Sequence, residues 1–417
     1  MQNIKALRTT RVLFIDHTAQ LGGGEIALRN LIAQFDPEQT CAIVLLCEEG
    51  PLAAQLEEHH QVHILPISAR VAGTRKDTVG WKSLLRVKEV YSVLSLAFRM
   101  AHLMREIDVH VVHTNSLKSH VIGGLAAKIA RRPLVWHLRD RIAPDYLPRP
   151  AVLFVRTLGR LLPNYVIANS QATLDTLIDP RSGTASPKRK LRSRVVHDGC
   201  SVPAEVASIK PNGPARIGLI GRISPWKGQH IFIKAAALIR PEFPDVQFQV
   251  IGAALFSEND YESSLKALCR DLGMEDRVAF LGFVSDVQGA IAQLEIVVHA
   301  STVGEPFGQV VIEGMAAGKP VIATRGGGIP EIVVDKTTGL LVPAGDERAL
   351  ADAMATMLRD PAKALEMGRR GRDRVKECFT IERTARAVEQ VYRDVVRVYS
   401  ADLSRHEAPA EAMDLKQ

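Results

Sequence analysis

The segment Gly304–Glu313, Gly-Glu-Pro-Phe-Gly-Gln-Val-Val-Ile-Glu, carries two carboxylates with seven residues between them. It follows an apolar run typical of a strand, Ile296–His299, and leads into a run typical of a helix, Gln309–Ala317. Pro306 suits a helix start, because its missing N–H would have no partner there. Gly308 leaves the first backbone N–H groups of that helix unobstructed. The segment therefore predicts an anion-binding helix N-terminus.

The spacing of Glu305 and Glu313 limits the chemistry they could do. At 1.5 Å rise per residue, two such carboxylates would lie roughly 12 Å apart along a helix. A hydrolytic acid/base pair needs about 5–10 Å, so the spacing argues against that class. It suits an elongated ligand with a phosphate in the middle and hydroxyl-rich groups at both ends, which is the shape of a nucleotide sugar.

Two cations, Arg222 and Lys227, follow another strand-like run, Ile217–Gly221. Arginine can hold a phosphate through two hydrogen bonds, and lysine adds a point charge beside it. The alternative is a pair of solvated loop side chains. Their place at the carboxyl end of a sheet, near the two glutamates, favours a phosphate site.

Two glycine-rich turns, Gly22–Gly24 and Gly326–Gly328, each join a strand-like run to a helix-like run. Glycine there lets backbone approach a ligand closely, beside a helix N-terminus. Neither turn fits the dinucleotide pattern GxGxxG or the phosphate-binding loop GxxxxGK[ST]. For both, a tight turn without a ligand remains an equal alternative.

Histidine and asparagine side chains end two further apolar runs. His137 lies near the carboxyl end of Leu134–Leu138, and His113 and Asn115 end the run Val109–Asn115. A histidine in an apolar strand is usually a core residue, but one at the carboxyl end can face a binding site. The sequence alone leaves both interpretations open.

Several signatures are absent from the sequence, namely Asp-x-Asp, HExxH, GxSxG and a Cys–His nucleophile pair. A carboxylate pair that holds a metal-bound diphosphate is therefore not supported. We expect no metal and no cofactor.

Strand-like runs alternate with helix-like stretches along most of the chain, which predicts parallel sheets covered by helices on both faces. Ser201–Pro214 interrupts the alternation with three prolines and a glycine, as a linker would. The predicted fold is α/β, with two tandem Rossmann-like doubly wound domains that face a central cleft. The predicted parts are a first domain (1–205), a second domain (206–380), a helix that packs back on the first domain (381–400) and a polar tail (401–417).

The composition is that of a globular protein, with 417 residues, 46% hydrophobic and 24% charged. No 18-residue uncharged apolar run exists, which argues against a transmembrane helix, and the first residues do not resemble a signal peptide. Five scattered cysteines without a CxxC pair argue against disulfides or zinc and favour a reducing cytoplasm.

The net charge of +7 is unevenly placed, because residues 131–194 contain 13 Lys/Arg and 4 Asp/Glu. A solvated surface is one explanation, above all for the basic run 188–194. The other is a surface that faces anionic lipid head groups or a phosphorylated acceptor, and it predicts a peripheral position on the inner face of the membrane. Nucleic acid is not expected, because no aromatic-interleaved basic motif accompanies the charge.

Together these segments resemble the retaining glycosyltransferases of family 4, which have the GT-B fold of two Rossmann-like domains. The resemblance spans most of the chain and is densest from Gly218 to Phe379. It is carried by Gly22–Gly24, His137, Arg222 with Lys227, Glu305–Gly308 with Glu313, and Gly326–Glu331 with Thr338–Val342.

The resemblance implies a role for each matching residue of the second domain. Arg222 and Lys227 would neutralise the donor diphosphate as it leaves. Glu313 would bind the ribose hydroxyls. Gly308, Gln309 and Val310 would offer backbone N–H groups to the phosphate.

For the remaining residues the resemblance implies contacts with the sugar. Glu305 would lie against the transferred sugar, and His137 would hydrogen-bond to one of its hydroxyls. Gly22, Gly23 and Gly24 would approach donor and acceptor.

The predicted function is retaining, metal-independent transfer of a sugar from a nucleotide-sugar donor to a glycan or lipid-linked saccharide, in polysaccharide or glycolipid biosynthesis. Front-face attack by the acceptor is the predicted mechanism. A sugar-nucleotide epimerase of the same architecture, a nucleotide-dependent dehydrogenase and a non-catalytic nucleotide-sugar binding protein are the alternatives. The sequence does not identify the donor, the acceptor, the pathway or the oligomeric state.

Overall fold

The structure is a computed structural model that describes residues 9–67, 87–178, 191–204, 213–254 and 258–407, with the backbone alone for 87–89 and 402–407. These residues form two compact units. The first comprises the chain up to Asn169, residues 173–196 and the chain from Thr384 onward, and the second comprises Ser170–Ala172 and His197–Arg383.

The first unit contains a parallel sheet with the strand order β3-β2-β1-β4-β5-β6-β7. Its strands are β1 Thr10–Asp16, β2 Thr40–Leu46, β3 Gln61–Ile64, β4 Val111–Thr114, β5 Leu134–Leu138, β6 Tyr165–Ala168 and β7 Ser193–Val195. The helices up to β7 are α1 Gly23–Ile32, α2 Pro51–Glu57, α3 Val87–Glu106, α4 Leu117–Ala130, α5 Arg149–Leu161 and α6 Gln171–Ile178.

The second unit contains a parallel sheet with the order β10-β9-β8-β11-β12-β13. Its strands are β8 Arg216–Ile220, β9 Gln247–Ile251, β10 Val278–Gly282, β11 Ile296–His299, β12 Val321–Arg325 and β13 Leu340–Pro343. The helices that follow β8 are α7 Gln229–Ile239, α8 Asn259–Asp271, α9 Val287–Ala292, α10 Gln309–Ala316, α11 Ile329–Ile332, α12 Glu347–Arg359, α13 Pro361–Cys378 and α14 Ile381–Glu407.

The central strands are apolar along most of their length because helices cover both sheet faces. All residues of β4, β5 and β11 are buried, as are Val12–Asp16 of β1. Within the strands, the buried polar residues lie at or near strand ends, among them Asp16, His113, His137 and His299. The cores therefore leave polar groups at the carboxyl ends of the strands.

The predicted alternation of strands and helices is confirmed, and both sheets are parallel. The short helix α6 was not predicted, because a few residues carry too little periodicity. The helix entry predicted after Gly326–Gly328 is present as α11. Helix α14 continues to Glu407, past the point where a polar tail was predicted to begin. Polarity alone does not end a helix, and Pro409 is the first proline after this point. The periodicity of Ser83–Arg105 predicts a helix, and the start of this predicted helix, residues 83–86, lies outside the described residues.

The predicted linker, Ser201–Pro214, falls partly outside the described residues, since 205–212 are not described. The change of unit occurs earlier, between Val196 and His197. Cys200 is buried in the second unit, where it exchanges backbone hydrogen bonds with Phe379 and Ile381. The segment just before the linker is thus held by backbone pairing.

Most candidate site residues follow the strands beside which the strand order of each sheet reverses. In each sheet, chain order reverses beside the first strand of that sheet, between β1 and β4 and between β8 and β11. Loops that leave such neighbouring strands diverge to opposite faces of the sheet and open a crevice, which is the usual ligand position in doubly wound folds. The loops after β1, β8 and β11, together with the helices that these loops enter, contain most of the predicted site residues.

None of the helices within the described ranges is long and apolar enough to cross a membrane.

Candidate active site

The two glutamates of Gly304–Glu313 differ in backbone conformation. Helix α10 begins at Gln309 with Gly308 as its N-cap, so Glu313 is helical and Glu305 is not. The predicted separation of roughly 12 Å assumed a continuous helical rise. That value is wrong as derived, because residues 305–308 precede the helix. Pro306 is likewise outside the helix, two residues before the N-cap, and not at its first position.

Gly308 and Phe307 fix the path of the chain between the glutamates. Gly308 has φ of 129°, and a side chain there would lie 2.5 Å from Ile329 Cδ1. Only glycine adopts this conformation readily. Phe307 is buried, with its ring 5.8 Å from His197 and 6.1 Å from Phe379. The segment is therefore anchored on both sides of its turn.

The Glu305 carboxylate is the centre of a charged cluster. Lys227 Nζ donates to Oε1 at 2.9 Å and to Oε2 at 3.0 Å. Ser301 Oγ donates to Oε2 at 2.9 Å, and His299 Nε2 does so at 3.2 Å. Burial raises the pKa of Glu305, but the Lys227 charge and the His299 hydrogen bond outweigh it and hold that pKa below its usual value. Glu305 is thus an ionised carboxylate that is stabilised by hydrogen bonds from the protein.

The two oxygens of Glu305 are not equivalent. Oε2 receives three donors, whereas Oε1 receives Lys227 Nζ among the contacts of the described residues. The two carboxylate oxygens together offer about four acceptor sites, and Lys227 Nζ shares its donation between them. Oε1 therefore retains the capacity to accept a hydroxyl proton from a ligand.

Lys227 is held by a single-turn 3₁₀ helix, Pro225–Lys227. Gly228 ends that turn with φ of 74°, and a side chain there would collide with the backbone oxygen of Ala300. Thr302 N donates to Trp226 O at 2.8 Å, and Lys227 Nζ lies 4.3 Å from the centre of the Trp226 ring. These contacts tie the loop after β8 to the loop after β11, which brings Lys227 to Glu305.

The glycine-rich turn Gly326–Gly328 supports the backbone of Glu305. Gly328 N donates to Glu305 O at 2.9 Å. Gly327 has φ of 58°, and a side chain there would collide with the same backbone oxygen. Packing within the chain explains these glycines, so the turn interpretation accounts for them without a ligand.

Arg222 lies in the loop after β8, with its side chain 34% exposed and its Nε 3.7 Å from Glu258 Oε2. Gln229 Nε2 donates to the Arg222 backbone oxygen at 2.9 Å. Both predicted cations are therefore partly buried at the end of β8, and Lys227 is the one bound directly to Glu305.

Glu313 differs from Glu305 in its surroundings. Burial raises the pKa of Glu313 to about 7, although Gln309 Nε2 donates to Oε1 at 3.1 Å and opposes the shift. The backbone N–H groups of Gln309 and Val310 are in the first helical turn and have no partner within the helix. The start of α10 thus combines anion-binding N–H groups with a carboxyl group that changes charge near neutral pH.

Sequence reasoning missed three members of the charged cluster: His299, Ser301 and Thr324. Thr324 Oγ1 donates to Ser301 O at 2.9 Å and lies 3.3 Å from His299 Nδ1. A signal was available, because all three lie where neighbouring strands β11 and β12 end beside the reversal in strand order.

A second polar cluster occupies the corresponding position of the first unit. Asp16 ends β1 fully buried and accepts hydrogen bonds from Asn115 Nδ2 and Ser116 Oγ, both at 2.8 Å, and from His17 N at 2.7 Å. Burial raises the pKa of Asp16, but His17, Asn115 and Ser116 together hold it below its usual value. This carboxylate organises the loops that follow β1 and β4.

The glycine run Gly22–Gly24 lies against this cluster. Gly24 O accepts a hydrogen bond from Asn115 Nδ2 at 3.2 Å. A side chain at Gly23 would meet nothing within 4 Å, and one at Gly24 would make ordinary contacts of 3.9 Å and 4.0 Å with Arg139 and Asn115. Neither has a positive φ. Packing within the described chain therefore does not require glycine at these two positions.

His137 is fully buried on β5 and belongs to the same cluster. Its Nδ1 lies 3.3 Å from His113 Nε2 and 3.5 Å from Arg139 Nη2, and Arg139 Nε donates to Asn115 Oδ1 at 2.7 Å. Burial, followed by the Arg139 charge, lowers the pKa of His137 well below its ordinary value. The structure thus connects His137 with Asn115 and Gly24, three residues that the sequence singled out separately.

The basic region 131–194 is described only in part, since residues 179–190 lie outside the described ranges. Some of its cations are used internally. Arg156 donates to the backbone oxygens of Thr176 and Ile142, and Arg141 pairs with Asp145 at 2.7 Å. In the ranges that the structure covers, no group of three His, Cys, Asp or Glu side chains could hold a metal ion.

Two family models match the chain. The one described as Glycosyltransferase Family 4 matches residues 21–186, and the one described as Glycosyl transferases group 1 matches residues 204–374. Between them they include every predicted site residue.

Curated proteins similar to the chain include two bacterial glycosyltransferases. The D-inositol 3-phosphate glycosyltransferase of Corynebacterium glutamicum is 32% identical over 192 residues, which are 46% of this chain and 46% of that protein. The lipopolysaccharide core biosynthesis mannosyltransferase LpsB of Rhizobium meliloti is 32% identical over 183 residues, 43% of this chain and 52% of that protein. The chain thus spans about half the length of these relatives.

Among solved structures, Anabaena Alr3699/HepE in complex with UDP and glucose superposes with a TM-score of 0.77 and is 28% identical. The superposition covers 92% of this chain and 100% of that one. The same Anabaena protein has also been solved with UDP-glucose.

Proposed function

Because the chain belongs to the group 1 and family 4 glycosyltransferases, whose fold is GT-B, we propose that it transfers a sugar from a nucleotide-sugar donor to an acceptor hydroxyl. The relatives named above carry glycosyltransferase names, and the similar Anabaena protein binds UDP-glucose. The proposal extends that activity to this chain.

The contact between Lys227 and Glu305, beside the start of helix α10, is the observation that carries the proposal. A cation and the N–H groups of Gln309 and Val310 converge on the loop that follows β11. Such preorganised positive groups stabilise charge that develops on a departing diphosphate. Arg222, at the end of β8, is proposed to add the second cation. Glu313 is proposed to bind the ribose hydroxyls.

The proposed transfer retains the configuration of the sugar through front-face attack. The bond between the anomeric carbon and the diphosphate breaks as the bond to the acceptor oxygen forms. The acceptor proton passes to the departing phosphate oxygen. Glu305 is a poor candidate nucleophile, because its charge is already neutralised by Lys227 and three donors occupy Oε2. Its Oε1 is proposed to accept a sugar hydroxyl instead.

The residues of the first unit are proposed to contact the sugar and the acceptor. His137 would hydrogen-bond to a sugar hydroxyl, as the family resemblance implies. Gly23 and Gly24 support this proposal, because no packing within the described chain explains them. Backbone without side chains there allows close approach of a ligand.

The proposed acceptor is a glycan or a lipid-linked saccharide, and the proposed setting is polysaccharide or glycolipid biosynthesis on the cytoplasmic side of a membrane. The lipopolysaccharide core name of a relative supports this setting. Metal independence is also proposed, on the absence of an Asp-x-Asp pair from the sequence.

A screen of UDP-, GDP-, ADP- and dTDP-sugars for saturable thermal stabilisation tests the proposal and identifies the donor. We expect one nucleotide series to stabilise the protein, and turnover of that donor to require an acceptor and to survive a metal chelator. Turnover without any acceptor would favour an epimerase. Stabilisation without turnover on any acceptor would favour a binding protein.

The anomeric configuration of the product, read by NMR, tests retention. An inverted product would refute it. A covalent sugar adduct on Glu305, trapped with a slow donor and found by mass spectrometry, would refute front-face attack.

Liposome flotation tests the proposed membrane surface. Neutralising the basic residues of 188–194 should reduce flotation with anionic lipid, whereas neutralising as many exposed basic residues on α13 and α14 should not. Equal flotation of the two variants would remove that segment from the proposal.

A further inference from the structure

His137 Nε2 is a buried atom for which the described residues supply no hydrogen-bond partner. Buried polar atoms without partners are costly and uncommon in folded proteins. A ligand atom that meets Nε2 would therefore gain a hydrogen bond that the chain leaves unmade. Whether that ligand atom must be an acceptor or a donor depends on where the imidazole carries its proton.

A row of three side chains leads from helix α14 to His137. Tyr392 Oη lies 2.8 Å from His113 Nδ1, and His113 Nε2 lies 3.3 Å from His137 Nδ1. Burial lowers the pKa of both histidines well below the ordinary value, so both are neutral at physiological pH. A neutral imidazole has one donor and one acceptor nitrogen, so the row has two consistent arrangements.

In the first arrangement, Tyr392 donates to His113 Nδ1, His113 Nε2–H donates to His137 Nδ1, and His137 carries its proton on Nε2. In the second arrangement every hydrogen bond is reversed, and His137 Nε2 bears a lone pair. The two arrangements present opposite groups to a ligand.

Arg139 distinguishes the two arrangements. Its guanidinium group can only donate, and Nη2 lies 3.5 Å from His137 Nδ1. Arg139 Nε is fixed by its hydrogen bond to Asn115 Oδ1 at 2.7 Å. An N–H on Nδ1 would face these positive hydrogens, whereas a lone pair is attracted by them. The first arrangement is therefore favoured.

We infer that Tyr392, His113 and Arg139 are positioning residues that hold His137 as the Nε2–H tautomer, a neutral donor to an acceptor oxygen of the ligand. That this oxygen is a sugar hydroxyl rests on the proposed glycosyl transfer. The C-terminal helix thereby takes part in the site through one hydroxyl group.

The ring and the hydroxyl group of Tyr392 make different contacts, so the role of the hydroxyl group can be tested by itself. The ring lies 6.3 Å from Phe14, 6.0 Å from Phe35 and 5.9 Å from His113, and it is buried. The substitution Tyr392→Phe keeps these ring contacts and removes only the donor.

Nitrogen-15 NMR of the full-length chain labelled on histidine tests the inference without turnover. Long-range proton–nitrogen correlations distinguish the two neutral tautomers, and His113→Gln and His137→Gln assign the signals. We expect both histidines as Nε2–H tautomers in the unsubstituted protein. An Nδ1–H tautomer or a charged imidazolium at His137 would overturn the inference. Absence of turnover with every nucleotide sugar would count against the proposed function and not against this result.

The substitution Tyr392→Phe gives the second test, with Tyr399→Phe on the same helix as the matched control. Tyr392→Phe should introduce the Nδ1–H tautomer at His113 or His137 and lower kcat/KM roughly fivefold to tenfold, as expected for one lost neutral hydrogen bond. The affinity for free nucleoside diphosphate should not change. Tyr399→Phe should leave tautomers and rates as they were. Unchanged tautomers in Tyr392→Phe would show that Tyr392 does not position His137.

Discussion

Both units contain a parallel sheet whose strand order reverses beside its first strand. The side chains at that reversal differ between the two units. After β8 and β11 the second unit assembles an ion pair, Lys227 with Glu305, beside a helix N-terminus. After β1 and β4 the first unit assembles a hydrogen-bonded network around two neutral histidines, His113 and His137, whose pKa values are lowered and which connect to Asn115 through Arg139.

This difference matches the two ends of the proposed donor. A diphosphate carries charge and is recognised by cations and helix N–H groups. A sugar carries hydroxyls, which are distinguished by individually oriented donors and acceptors. Under the proposed function, the same fold position would recognise charge in one unit and hydroxyls in the other, according to which residues end the strands.

Loss of Lys227 should have the largest effect on transfer. The substitution Lys227→Met removes the cation nearest to the proposed leaving group, and we expect kcat to fall about 10²–10³-fold. Lys266→Met is the matched control, because Lys266 forms an exposed ion pair with Glu262 within helix α8. The control should retain full activity. Steady-state rates with the identified donor give the comparison.

Lys227→Met also leaves the Glu305 carboxylate buried and unpaired, which typically costs 3–5 kcal/mol. The double substitution Lys227→Met/Glu305→Gln removes that charge and should recover much of the lost stability without recovering activity. Recovery of activity in the double variant would show that Lys227 serves folding and not the leaving group.

The glycines of the two units should respond differently to substitution. Gly228→Ala should destabilise the protein by about 2–4 kcal/mol, because φ of 74° and the contact with Ala300 O both exclude a side chain. Gly23→Ala should change stability by less than about 0.5 kcal/mol, because Gly23 begins helix α1 and its side-chain position is open. Chemical denaturation measures both free energies of unfolding.

Activity completes the glycine comparison. If ligand approach explains Gly23, Gly23→Ala should lower kcat/KM while the unfolding free energy stays unchanged. Gly345→Ala provides the control for backbone strain alone, since Gly345 has φ of 76° with nothing near its side-chain position. Full activity in Gly23→Ala would leave the tight turn as the better explanation of the Gly22–Gly24 run.

The sequence was sufficient for the fold and for placing most candidate residues relative to the strand ends, because periodicity and strand ends are local properties. The alternation predicted both parallel sheets, and the ends of β8 and β11 contained Arg222, Lys227 and Glu305. The sequence could not show which of these side chains contact each other. Lys227 and Glu305 are 78 residues apart, and only the strand order places their loops side by side.

The roles of the histidines also depend on contacts that the sequence does not show. His137 had two open interpretations, core residue or site residue, and the structure shows a buried residue within a polar network. His299 was passed over because it ends an apolar run and fits no motif. The value of roughly 12 Å between Glu305 and Glu313 assumed that residues 305–308 are helical, although the predicted helix start at Gln309 is confirmed.

Glu313 should give the smallest effect, a pH dependence near neutral pH. Its pKa is raised from 4.5 to about 7, so the folded state favours the protonated form, and the contribution of Glu313 to stability declines as pH rises from about 4.5 through 7. Ribose hydroxyls would donate to the ionised form, so nucleotide affinity should be roughly tenfold weaker at about pH 6 than at about pH 8. Calorimetric titration at several pH values measures this slope. The substitution Glu313→Gln should abolish it, and a slope that persists in that variant would assign the titration to another group.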